Sequence, residues 1–405
     1  MDVVIVGGGM AGLSCARELD LAGIDWALVE ATDRFGGRVK TDEVDGFRLD
    51  RGFQVLLTAY PSLTGWIDLD RLDLSGFLPG ALIRRGGRFH RFADPLRAPG
   101  QALATLRAPM ATWRDKWLIH RLRSRALRIS PAEIWASPET STEDYLREFG
   151  FSSGIIEGFF RPFFGGVFLE SELATSSRQF MFVYRMFSRG AAALPRAGMQ
   201  AIPDQLAEAL DRQRIELNSP IHRVSDDHVQ LTDGETRDAR FVVLATDGPM
   251  ADRLLDREGT RADRATTCFY FALEELPIDG RWLVLNGDGA GPINNLCFPS
   301  AIAHSYAPHG QHLASATVLG QGADQLDGVR AHLVDWFGPS AREWRHLATY
   351  AIEHALPVVA DVGRGEPYAR YSDAIYVCGD HQAMPSLNGA IESGRAVAQA
   401  ILRRL

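Results

Sequence analysis

The stretch Asp2-Val-Val-Ile-Val6, followed by Gly7-Gly-Gly9-Met-Ala-Gly12, decides the fold of this chain. The apolar run predicts a buried strand, and the glycines after it predict a tight turn into a helix. Gly7 permits the sharp turn, Gly9 lets the backbone approach a pyrophosphate, and Gly12 lets the helix pack closely on the strand. Free N–H groups at the helix start, together with the helix dipole, bind phosphates. We therefore expect a Rossmann-type dinucleotide site that includes Gly7, Gly9, Met10, Ala11 and Gly12.

A second apolar strand, Trp26-Ala-Leu-Val-Glu30, ends in an acid 18 residues after Gly12. A carboxylate at this position accepts hydrogen bonds from the ribose hydroxyls of a bound adenosine and repels a 2′-phosphate. A glycine motif alone has little specificity, but the preceding strand, the following helix and this acid together make it specific. Glu30 and the adjoining Ala31 are therefore predicted to contact the adenosine half of the cofactor.

A second glycine-bearing motif lies at the other end of the chain, where Ala374-Ile-Tyr-Val-Cys-Gly379-Asp380 leads to Pro385-Ser-Leu-Asn-Gly389-Ala-Ile. This motif is predicted to return to the same cofactor from the far terminus. A nicotinamide enzyme has no need of such a return, whereas a flavoprotein does. The two motifs together predict that the bound dinucleotide is FAD.

The length and composition of the chain are those of a globular protein with two domains. The chain has 405 residues, of which 46% are hydrophobic and 23% are charged, and a core of that size usually divides. No run approaches the ~18 apolar residues of a membrane-spanning helix. The first strand begins at Asp2, so we expect no signal peptide and a cytoplasmic location. The four cysteines (Cys15, Cys268, Cys297 and Cys378) lack metal or redox spacing, so we expect buried, reduced thiols and no metal site.

The net charge of −8 conceals a basic segment between Arg84 and Arg128. It carries twelve Arg or Lys residues against two acids, a net +10, which leaves −18 for the rest of the chain. Apolar residues are interleaved with the basic ones, namely Leu96, Leu103, Leu106, Trp113, Trp117, Leu118 and Leu122. A basic amphipathic helix with Trp favours peripheral docking of residues 84–128 on an anionic membrane, and a solvated helical face is the alternative. The acidic remainder argues against a nucleic-acid partner, and nothing in the sequence indicates the oligomeric state.

The cofactor domain is predicted to be discontinuous, with an α/β fold. Residues 1–58, 198–262 and 366–405 are assigned to the FAD-binding domain, and residues 59–197 and 263–365 to the substrate-binding domain. In the middle stretch the pattern predicts a helix over 202–210 and short strands around 215–217, 220–224 and 228–232, with Asp233-Gly234 as a hairpin turn. The apolar run 241–246 is typical of a covered parallel strand. The first part of the substrate domain is predicted to be helical and basic, and its second part to be rich in strands.

Three further stretches resemble the flavin-containing amine oxidase and carotenoid (phytoene) desaturase superfamily. Gly36-Gly37-Arg38 follows the second strand at the family's spacing, and the resemblance assigns Arg38 to the FAD pyrophosphate, a role that suits a bidentate guanidinium. Leu49-Asp50-Arg-Gly52-Phe-Gln54-Val-Leu-Leu-Thr-Ala59-Tyr60-Pro61 resembles the D-x-G-x-H-x-x-x-G-A-Y-P stretch of plant-type desaturases and squalene-associated dehydroxylases. Gln54 stands at the family's histidine and Thr58 at its second glycine.

The third stretch, which runs from Gly379-Asp380 to Ser386-Leu-Asn-Gly389-Ala-Ile-Glu-Ser-Gly394-Arg, is similar to the closing G-D…S-x-E-G-A-x-x-S-G-R motif. The resemblance implies that Asp380 binds the ribityl hydroxyls. It also implies that the helix beginning near Ser386 directs N–H groups at flavin N1 and O2, where reduced flavin is negative. Asn388 replaces the glutamate of many relatives. The further residues assigned to the cofactor are Gly52, Phe53, Gln54, Ile221, Ala245, Thr246, Leu387, Asn388 and Ala390.

The resemblance covers the cofactor portions, 1–61, 198–262 and 366–405, and is looser in the substrate domain, around Phe159-Phe-Arg-Pro162-Phe-Phe-Gly165. It implies an amine-oxidase-like two-domain architecture, with a Rossmann-type FAD-binding domain and an α+β substrate-binding domain. Because no histidine or cysteine stands where a covalent flavin link is expected, we expect FAD to be bound noncovalently.

Flavin chemistry requires few side chains, because the cofactor accepts the hydride while the protein positions the substrate. Amine oxidases of the superfamily carry a lysine in the substrate domain and an aromatic cage. Here the only lysines are Lys40 and Lys116, outside the strand-rich second half of that domain, and Ser386 stands where the cage aromatic is expected. The sequence thus predicts hydride transfer to flavin N5 from a small hydrophobic, isoprenoid-like substrate by a desaturase or dehydrogenase. An O2-using amine oxidase, a flavin-dependent isomerase and a flavin-binding protein without turnover remain open.

The candidates for the substrate pocket are Gln54, Tyr60, Phe163, Phe164, Trp282, Phe298 and His381. Each of them has a simpler interpretation, since aromatic side chains are more often core residues than pocket residues. His381 also suits a hydrogen-bonded structural histidine beside the site. Gly36 and Gly37 could be ordinary loop glycines, and Asp50 an exposed acid in a turn.

Overall fold

The computed structural model describes residues 1–257, 262–359, 362–363 and 365–405. Residues 258–261, assigned above to the FAD-binding domain, and residues 360–361 and 364, assigned to the substrate-binding domain, lie outside the described residues. The strands are β1 Val3–Val6, β2 Trp26–Val29, β3 Thr41–Val44, β4 Phe47–Asp50, β5 Leu56–Leu57, β6 Leu74–Gly76, β7 Gly80–Arg85, β8 Arg88–Ala93, β9 Ala192–Pro195, β10 Ile215–Glu216, β11 Ile221–Val224, β12 His228–Leu231, β13 Thr236–Asp238, β14 Phe241–Leu244, β15 Asp263–Leu273, β16 Leu283–Asn286, β17 Ile293–Cys297, β18 His312–Leu319, β19 Arg345–Pro357, β20 Ala369–Arg370 and β21 Ile375–Val377.

The α-helices are α1 Met10–Leu21, α2 Ala102–Arg107, α3 Trp113–Arg128, α4 Pro131–Ala136, α5 Thr142–Phe149, α6 Ser153–Ile155, α7 Arg161–Phe168, α8 Ser177–Arg189, α9 Ala201–Glu208, α10 Gly248–Leu254, α11 Pro299–Ile302, α12 Leu326–Phe337 and α13 Leu387–Leu402. A short π-helix, Ile156–Phe160, joins α6 to α7.

The first sheet has the strand order β10-β2-β1-β14-β21-β20. Strand β1 pairs in parallel with both β2 and β14, and β14 pairs in parallel with β21. Because side chains alternate along a strand, Val3 and Ile5 face the cluster that contains α1 and α13, while Val4 and Val6 face the cluster that contains α10 and the sheet β11-β12-β13. Both faces are covered, as expected for a parallel sheet. The predicted Rossmann-type α/β fold is confirmed.

Helices α1 and α13 lie against each other so closely that their backbones touch. A Cβ added at Gly394 of α13 would lie 2.0 Å from the carbonyl oxygen of Ala11 in α1. The absence of a side chain at Gly394 is therefore a packing requirement. This contact fixes the two ends of the chain relative to each other on one side of the first sheet.

The second large sheet has the order β19-β15-β18-β17-β16-β7-β8 and is antiparallel except where β16 runs parallel to β7. One face packs on α12 through a core that includes Phe269, Phe271, Leu296, Leu333 and Trp336. Helices α3 to α8 form a separate aromatic core that includes Phe160, Phe164 and Phe180. Strands of the first sheet come from the stretches assigned to the FAD-binding domain, and those of the second from the stretches assigned to the substrate-binding domain. The domain division itself stays a prediction.

The prediction that the first part of the substrate domain is helical was wrong for residues 80–93. Strands β7 and β8 form a hairpin there, and β7 is buried on both faces, with Ala81 and Ile83 in the aromatic core and Leu82 in the core on α12. Arg84 belongs to this hairpin and is buried beneath the ring of Phe89. The basic helix begins only at α3. In the described parts of the chain, no helix is both long and apolar enough to cross a membrane.

The contact between α1 and α13 generates a stability prediction. Gly394→Ala places a methyl group against the Ala11 backbone, so we expect the free energy of unfolding to fall by about 2 kcal/mol or more, measured by urea denaturation. Gly328→Ala in α12 is the matched control, because its new Cβ would meet nothing closer than Pro292 Cγ at 3.7 Å. That variant should gain about 0.5–1 kcal/mol. Equal stability of the two variants would contradict the packing argument.

Candidate cofactor and substrate site

The glycines of the first turn divide into two kinds by what surrounds them. A Cβ added at Gly12 would lie 1.9 Å from the carbonyl oxygen of Gly7, and one added at Gly7 would lie 2.9 Å from that of Ala245. Gly9 is different, since its nearest neighbour would be Gly37 Cα at 4.0 Å. Gly7, Gly9, Met10 and Ala11 line the main cavity, whereas Gly12 does not and acts in helix–strand packing. The packing role predicted for Gly12 is the one that the structure shows, and its assignment to the cofactor site stays a prediction.

The start of α1 is open to a ligand. Gly9 is the N-cap in extended conformation (φ −74°, ψ −179°), and no side chain caps the helix. The first-turn N–H groups therefore have no partner from a capping side chain, and they lie beside the cavity. This arrangement fits the pyrophosphate of a dinucleotide. Gly36 and Gly37 also line the cavity, with φ of 117° and 59°, so they are part of the site rather than ordinary loop glycines.

Glu30 lines the same cavity and joins the second strand to the glycine turn. Its Oε2 accepts a hydrogen bond from Gly8 N–H at 2.7 Å, and its Oε1 accepts bonds from Thr32 N–H at 3.0 Å and Thr32 Oγ1 at 2.6 Å. Lys40 donates to Thr32 Oγ1 at 2.8 Å, and burial lowers the pKa of Lys40. The predicted adenosine-side acid thus also fixes the shape of the turn. Ala31 and Ile221 line this end of the cavity as predicted.

Arg38 and Asp380 bring together the two motifs that point to the cofactor. An Arg38 guanidinium nitrogen lies 2.5 Å from Asp380 Oδ1, and the other donates to Ala355 O at 2.9 Å. Both side chains line the cavity, together with Gly379, Ala245 and Thr246. The two motif residues, 342 positions apart in sequence, therefore meet where the pyrophosphate and ribityl groups are expected.

The start of α13 faces the same cavity. Ser386 is the N-cap, its Oγ accepts the N–H of Gly389 at 3.0 Å, and Ser386, Leu387 and Ala390 line the cavity. Asn388 does not: it is buried, and its Oδ1 accepts the N–H of Ser62 at 3.0 Å. The assignment of Asn388 to the cofactor is therefore corrected. The side chain anchors the start of the helix to the loop around Ser62, and the backbone dipole still faces the flavin position.

Asp50 holds the loop that carries the next cofactor residues. Its Oδ1 accepts bonds from Thr41 Oγ1 at 2.5 Å and Met199 N–H at 3.0 Å, and its Oδ2 accepts one from Tyr306 OH at 2.9 Å. Tyr270 OH donates to its backbone oxygen at 2.7 Å. The side chain is only 4% exposed, so the interpretation of Asp50 as an exposed turn acid was wrong. Burial raises the pKa of Asp50 to about 6, although the hydrogen bonds lower it.

The loop after Asp50 enters the cavity. Gly52 has φ of 87°, and a Cβ there would lie 2.7 Å from Ile352 Cδ1. Gly52, Phe53 and Gln54 all line the cavity. Gln54 Nε2 donates to Arg38 O at 2.8 Å and Arg51 O at 2.9 Å. The residue at the family's histidine position therefore ties this loop to the arginine loop.

These residues share one cavity of about 1400 Å³. Ligand pockets commonly measure about 300–1,000 Å³, so this cavity has room for a second molecule beside a dinucleotide. Its lining also includes Tyr60, Phe159 and Phe187, together with Leu96 and Leu106, which are exposed at the surface. The part lined by residues 77–123, 159–192, Thr266, Leu283, Asn295 and Thr317 is named the substrate half.

The pocket candidates separate into two groups. Gln54, Tyr60, Phe163 and Phe164 line the cavity as predicted. Trp282 and Phe298 do not, and this part of the prediction was wrong, because both are buried in the core that packs on α12. His381 does not line the cavity either. It is buried beside Gly379, where an added Cβ would lie 2.6 Å from its Nδ1, which agrees with the structural interpretation.

Sequence reasoning missed much of the wall of the cavity. One side comes from β19, including Ile352 and His354, and another from α8, where Gln179, Val183 and Tyr184 line the cavity. The spacing of Phe180, Val183, Tyr184 and Phe187 is that of an apolar helical face, which was the available signal for α8. The strand residues Thr266, Asn295 and Thr317 have no sequence pattern that predicts a position on the cavity wall.

Charge in the substrate half is mainly positive. The acidic residue that lines this half is Asp94, and Arg123 Nε lies 3.0 Å from Asp94 Oδ2. Arg97, Lys116 and His120 also line this half. Burial raises the pKa of the Tyr60 and Tyr184 phenols, which keeps both neutral. The four cysteines are free and buried, as predicted, and no group of three or more potential metal ligands occurs in the described ranges.

Comparison with known proteins agrees with this geometry. The model of the family described as flavin containing amine oxidoreductase matches residues 10–402. Phytoene dehydrogenase from Streptomyces griseus is 26% identical over an alignment 452 residues long, gaps included, which covers 96% of this chain and 80% of that protein. Carotenoid 3,4-desaturase from Haloarcula japonica is 53% identical over 51 residues, 13% of this chain and 10% of that protein. The chain thus spans only a tenth of the length of this second relative.

Among solved structures, a protein from Exiguobacterium sp. 255-15, provisionally named a protoporphyrinogen oxidase, superposes with a TM-score of 0.76. The sequence identity is 21%, and the match covers 100% of this chain and 99% of that one. At this identity the likeness concerns the fold. It supports the amine-oxidase-like architecture that the sequence predicted.

The open position at Gly9 generates a prediction about the cofactor. Gly9→Ala places a methyl group in free space, so the apoprotein should keep the thermal midpoint of the unaltered apoprotein. The methyl group lies in the path of the pyrophosphate, so we expect FAD to bind about tenfold more weakly or worse, because charge-assisted hydrogen bonds are worth about 1.5–3 kcal/mol. Fluorescence titration of both apoproteins with FAD measures the affinity. Unchanged affinity would show that the pyrophosphate does not approach this turn.

Asp50 generates a pH prediction. Its pKa is about 6 in the folded chain against an ordinary value of 3.8, so the folded state keeps the proton over a range where the unfolded state has lost it. The free energy of unfolding should fall by about 3 kcal/mol as pH rises from about 4 to about 6, and then level off. Asp50→Asn should remove that fall, measured by urea denaturation at a series of pH values. Asp279→Asn, at an exposed position, is the control and should still show the fall in the free energy of unfolding between pH 4 and pH 6. If Asp50→Asn shows the same fall as the unaltered protein, the pH dependence does not come from Asp50.

Proposed function

Because the chain belongs to the flavin containing amine oxidoreductase family, with FAD as its cofactor, we propose that it oxidises a hydrophobic, isoprenoid-like substrate as a desaturase or dehydrogenase. The observation that carries this proposal is the substrate half of the cavity. Phe53 and Tyr60 line the cavity next to this half, and the aromatic and aliphatic residues of the half itself include Phe163, Phe187 and Leu106. Such a surface binds hydrocarbon by removing apolar area from water.

The packing of these walls supports a long, narrow ligand. Phe163 lies 5.1 Å from both Phe164 and Phe187 between ring centroids, and 5.5 Å from Phe159. Rings in mutual contact have little freedom to move, which gives the wall a fixed shape. The match with phytoene dehydrogenase over nearly the whole chain is in keeping with such a ligand.

The charge distribution weighs against an amine substrate. A cationic amine needs a carboxylate or an open aromatic cage to replace its water shell. In the described residues of the substrate half the acid is Asp94, and its carboxylate is already paired with Arg123. Lys116 and Arg97 add positive charge to the same half. The described strand positions of the second sheet that line the cavity, among them Thr266, Asn295 and Thr317, include no lysine, so the lysine expected of an amine oxidase has no counterpart there.

Bound FAD would supply the two-electron chemistry, accepting a hydride from a carbon–hydrogen bond of the substrate. The chain would hold the cofactor with the starts of α1 and α13 and with Arg38. The loop Gly52 to Gln54 would separate the cofactor from the substrate half, and the aromatic walls would exclude water and fix the substrate. Loss of the hydride would leave a cation on the substrate, and loss of a proton from the neighbouring carbon to solvent would complete the double bond.

Flavin absorbance tests the proposal. The oxidised holoenzyme is mixed anaerobically with phytoene or squalene in detergent, and in parallel with putrescine or cyclohexylamine. We expect an isoprenoid, and no amine, to bleach the flavin. Bleaching by an amine alone would overturn the proposal. A rearranged isoprenoid produced by the chemically reduced enzyme, without bleaching of the oxidised one, would replace it with isomerase chemistry.

The electron acceptor is tested separately. The reduced enzyme is exposed to air, or to a soluble quinone under anaerobic conditions, and flavin absorbance is followed. A dehydrogenase should react slowly with oxygen and rapidly with the quinone. Rapid reaction with oxygen would favour the oxidase alternative.

Phe163 provides the test of the apolar wall. Phe163→Asn should raise KM about tenfold with little change in kcat, because lost apolar contact is worth about 1.5–3 kcal/mol and acts on binding alone. Phe163→Leu keeps the apolar contact and should stay near the KM of the unaltered enzyme. Steady-state rates with the isoprenoid identified above give both constants. Equal KM values for the two variants would show that this ring does not touch the substrate.

A further inference from the structure

Helix α3 presents three different faces to its surroundings. Leu118, Leu122 and Ala126 are buried in the aromatic core. A second face lines the cavity, with Lys116, Ile119, His120 and Arg123. The third face lies outside and carries Trp113 and Trp117, which are 71% and 57% exposed. One helix therefore separates the substrate half of the cavity from an apolar outer surface.

Exposed large hydrophobic side chains lie in the segment that leads into this helix, and Lys116 of the helix donates to Leu106 O at 2.7 Å. Leu96, Leu103 and Leu106 are 66%, 59% and 41% exposed, and they lie within 22 positions of Trp117 in sequence. Single exposed hydrophobic residues are normal in a folded protein, but a cluster marks a binding surface. The name Trp113 surface is used for these five residues: Leu96, Leu103, Leu106, Trp113 and Trp117.

The Trp113 surface is surrounded by positive charge, and none of its exposed arginines forms an ion pair with another described residue. Exposed basic residues in its segment are Arg97, Arg107, Arg114, Arg121, Arg125 and Arg128. The acid between positions 96 and 128 is Asp115, which is buried and accepts hydrogen bonds from Thr112 and Ser152. Some of the basic groups lie on the indole rings, with Lys116 Nζ 5.0 Å from the ring centre of Trp113 and Arg121 Cζ 4.8 Å from that of Trp117. Apolar rings beside free cations complement the interface of an anionic bilayer.

The cavity opens through this surface. Leu96 and Leu106 both line the cavity and are exposed, and Lys116 lines it while contacting Trp113. A hydrocarbon that leaves a bilayer at this point would move from lipid to the aromatic wall without crossing water. The main free-energy cost of moving a long apolar ligand from the bilayer to the cavity is its exposure to water. This geometry avoids that exposure.

We infer that the Trp113 surface docks on a membrane containing anionic lipids and that the substrate enters the cavity directly from the bilayer. The docking stands on the exposed residues and charges alone, and only the entry of substrate rests on the proposed function. Arg123 is not part of the docking surface, because it points into the cavity and pairs with Asp94. A solvated helical face would not place indole rings outward beside a cavity mouth.

The test is sedimentation of the full-length holoenzyme with vesicles of phosphatidylcholine, with and without phosphatidylglycerol. We expect binding only when the anionic lipid is present. Trp113→Ser with Trp117→Ser should lower the partition coefficient about tenfold or more. Arg107→Gln and Arg114→Gln should lower it about fivefold each. The matched controls are Leu21→Ser, at a leucine that is 75% exposed on α1, and Arg223→Gln, at an exposed arginine of β11, and both should bind as the unaltered protein does.

Failure of the unaltered protein to sediment with anionic vesicles would overturn the inference. So would equal losses in the Trp113 surface variants and the control variants. Sedimentation velocity without vesicles tests whether a second copy of the chain binds this surface instead. If the tryptophan variants change the oligomeric state and leave vesicle binding intact, the surface is an interface between copies of the chain. Because no substrate is present, failure of docking is distinct from failure of the proposed oxidation, which the flavin bleaching experiment reports in detergent.

Discussion

The close contact of α1 with α13 is the constraint on which the rest of the site depends. A backbone-to-backbone approach at Gly394 and Ala11 leaves no room for a side chain, so the first and last helices are held at one fixed distance. Their starts then reach the same edge of the first sheet, where β1, β14 and β21 run in parallel. Two helix dipoles can therefore act on one cofactor, one at its phosphates and the other at its ring system.

The parts of the site that the sequence predicted are those set by local backbone geometry. The turn at Gly7, the loop at Gly36 and the start of α13 each require residue types that are visible within a few positions, such as glycine at positive φ or a serine N-cap. The burial and bonding of Asp50 and Asn388 could not be predicted because their partners are distant in sequence: Asp50 bonds to Met199 and Tyr306, and Asn388 to Ser62. No local pattern tells whether an acid at a strand end is exposed or buried.

The substrate half was less predictable, for a physical reason. An aromatic side chain leaves water equally well in a core or on a cavity wall, so Phe163 and Phe298 look alike in the sequence. Only the tertiary arrangement places the first on the cavity and the second in the core on α12. The basic segment shows the same limit, because charge and apolar content predicted a helix, whereas residues 80–85 form a strand that pairs between β16 and β8 and is buried on both faces.

The two ends of the cavity select their ligands by different physics. At the cofactor end, backbone N–H groups, Glu30 and Arg38 would hold a charged dinucleotide by directed hydrogen bonds, which depend on angle and distance. At the other end apolar rings offer area without direction, so length and shape decide what binds there. A substrate chosen in that way is one that water excludes, and such a molecule is found in lipid. In the docking proposed above, the positive charge around Trp113 and Trp117 would hold the open end of the cavity against the lipid in which that substrate dissolves.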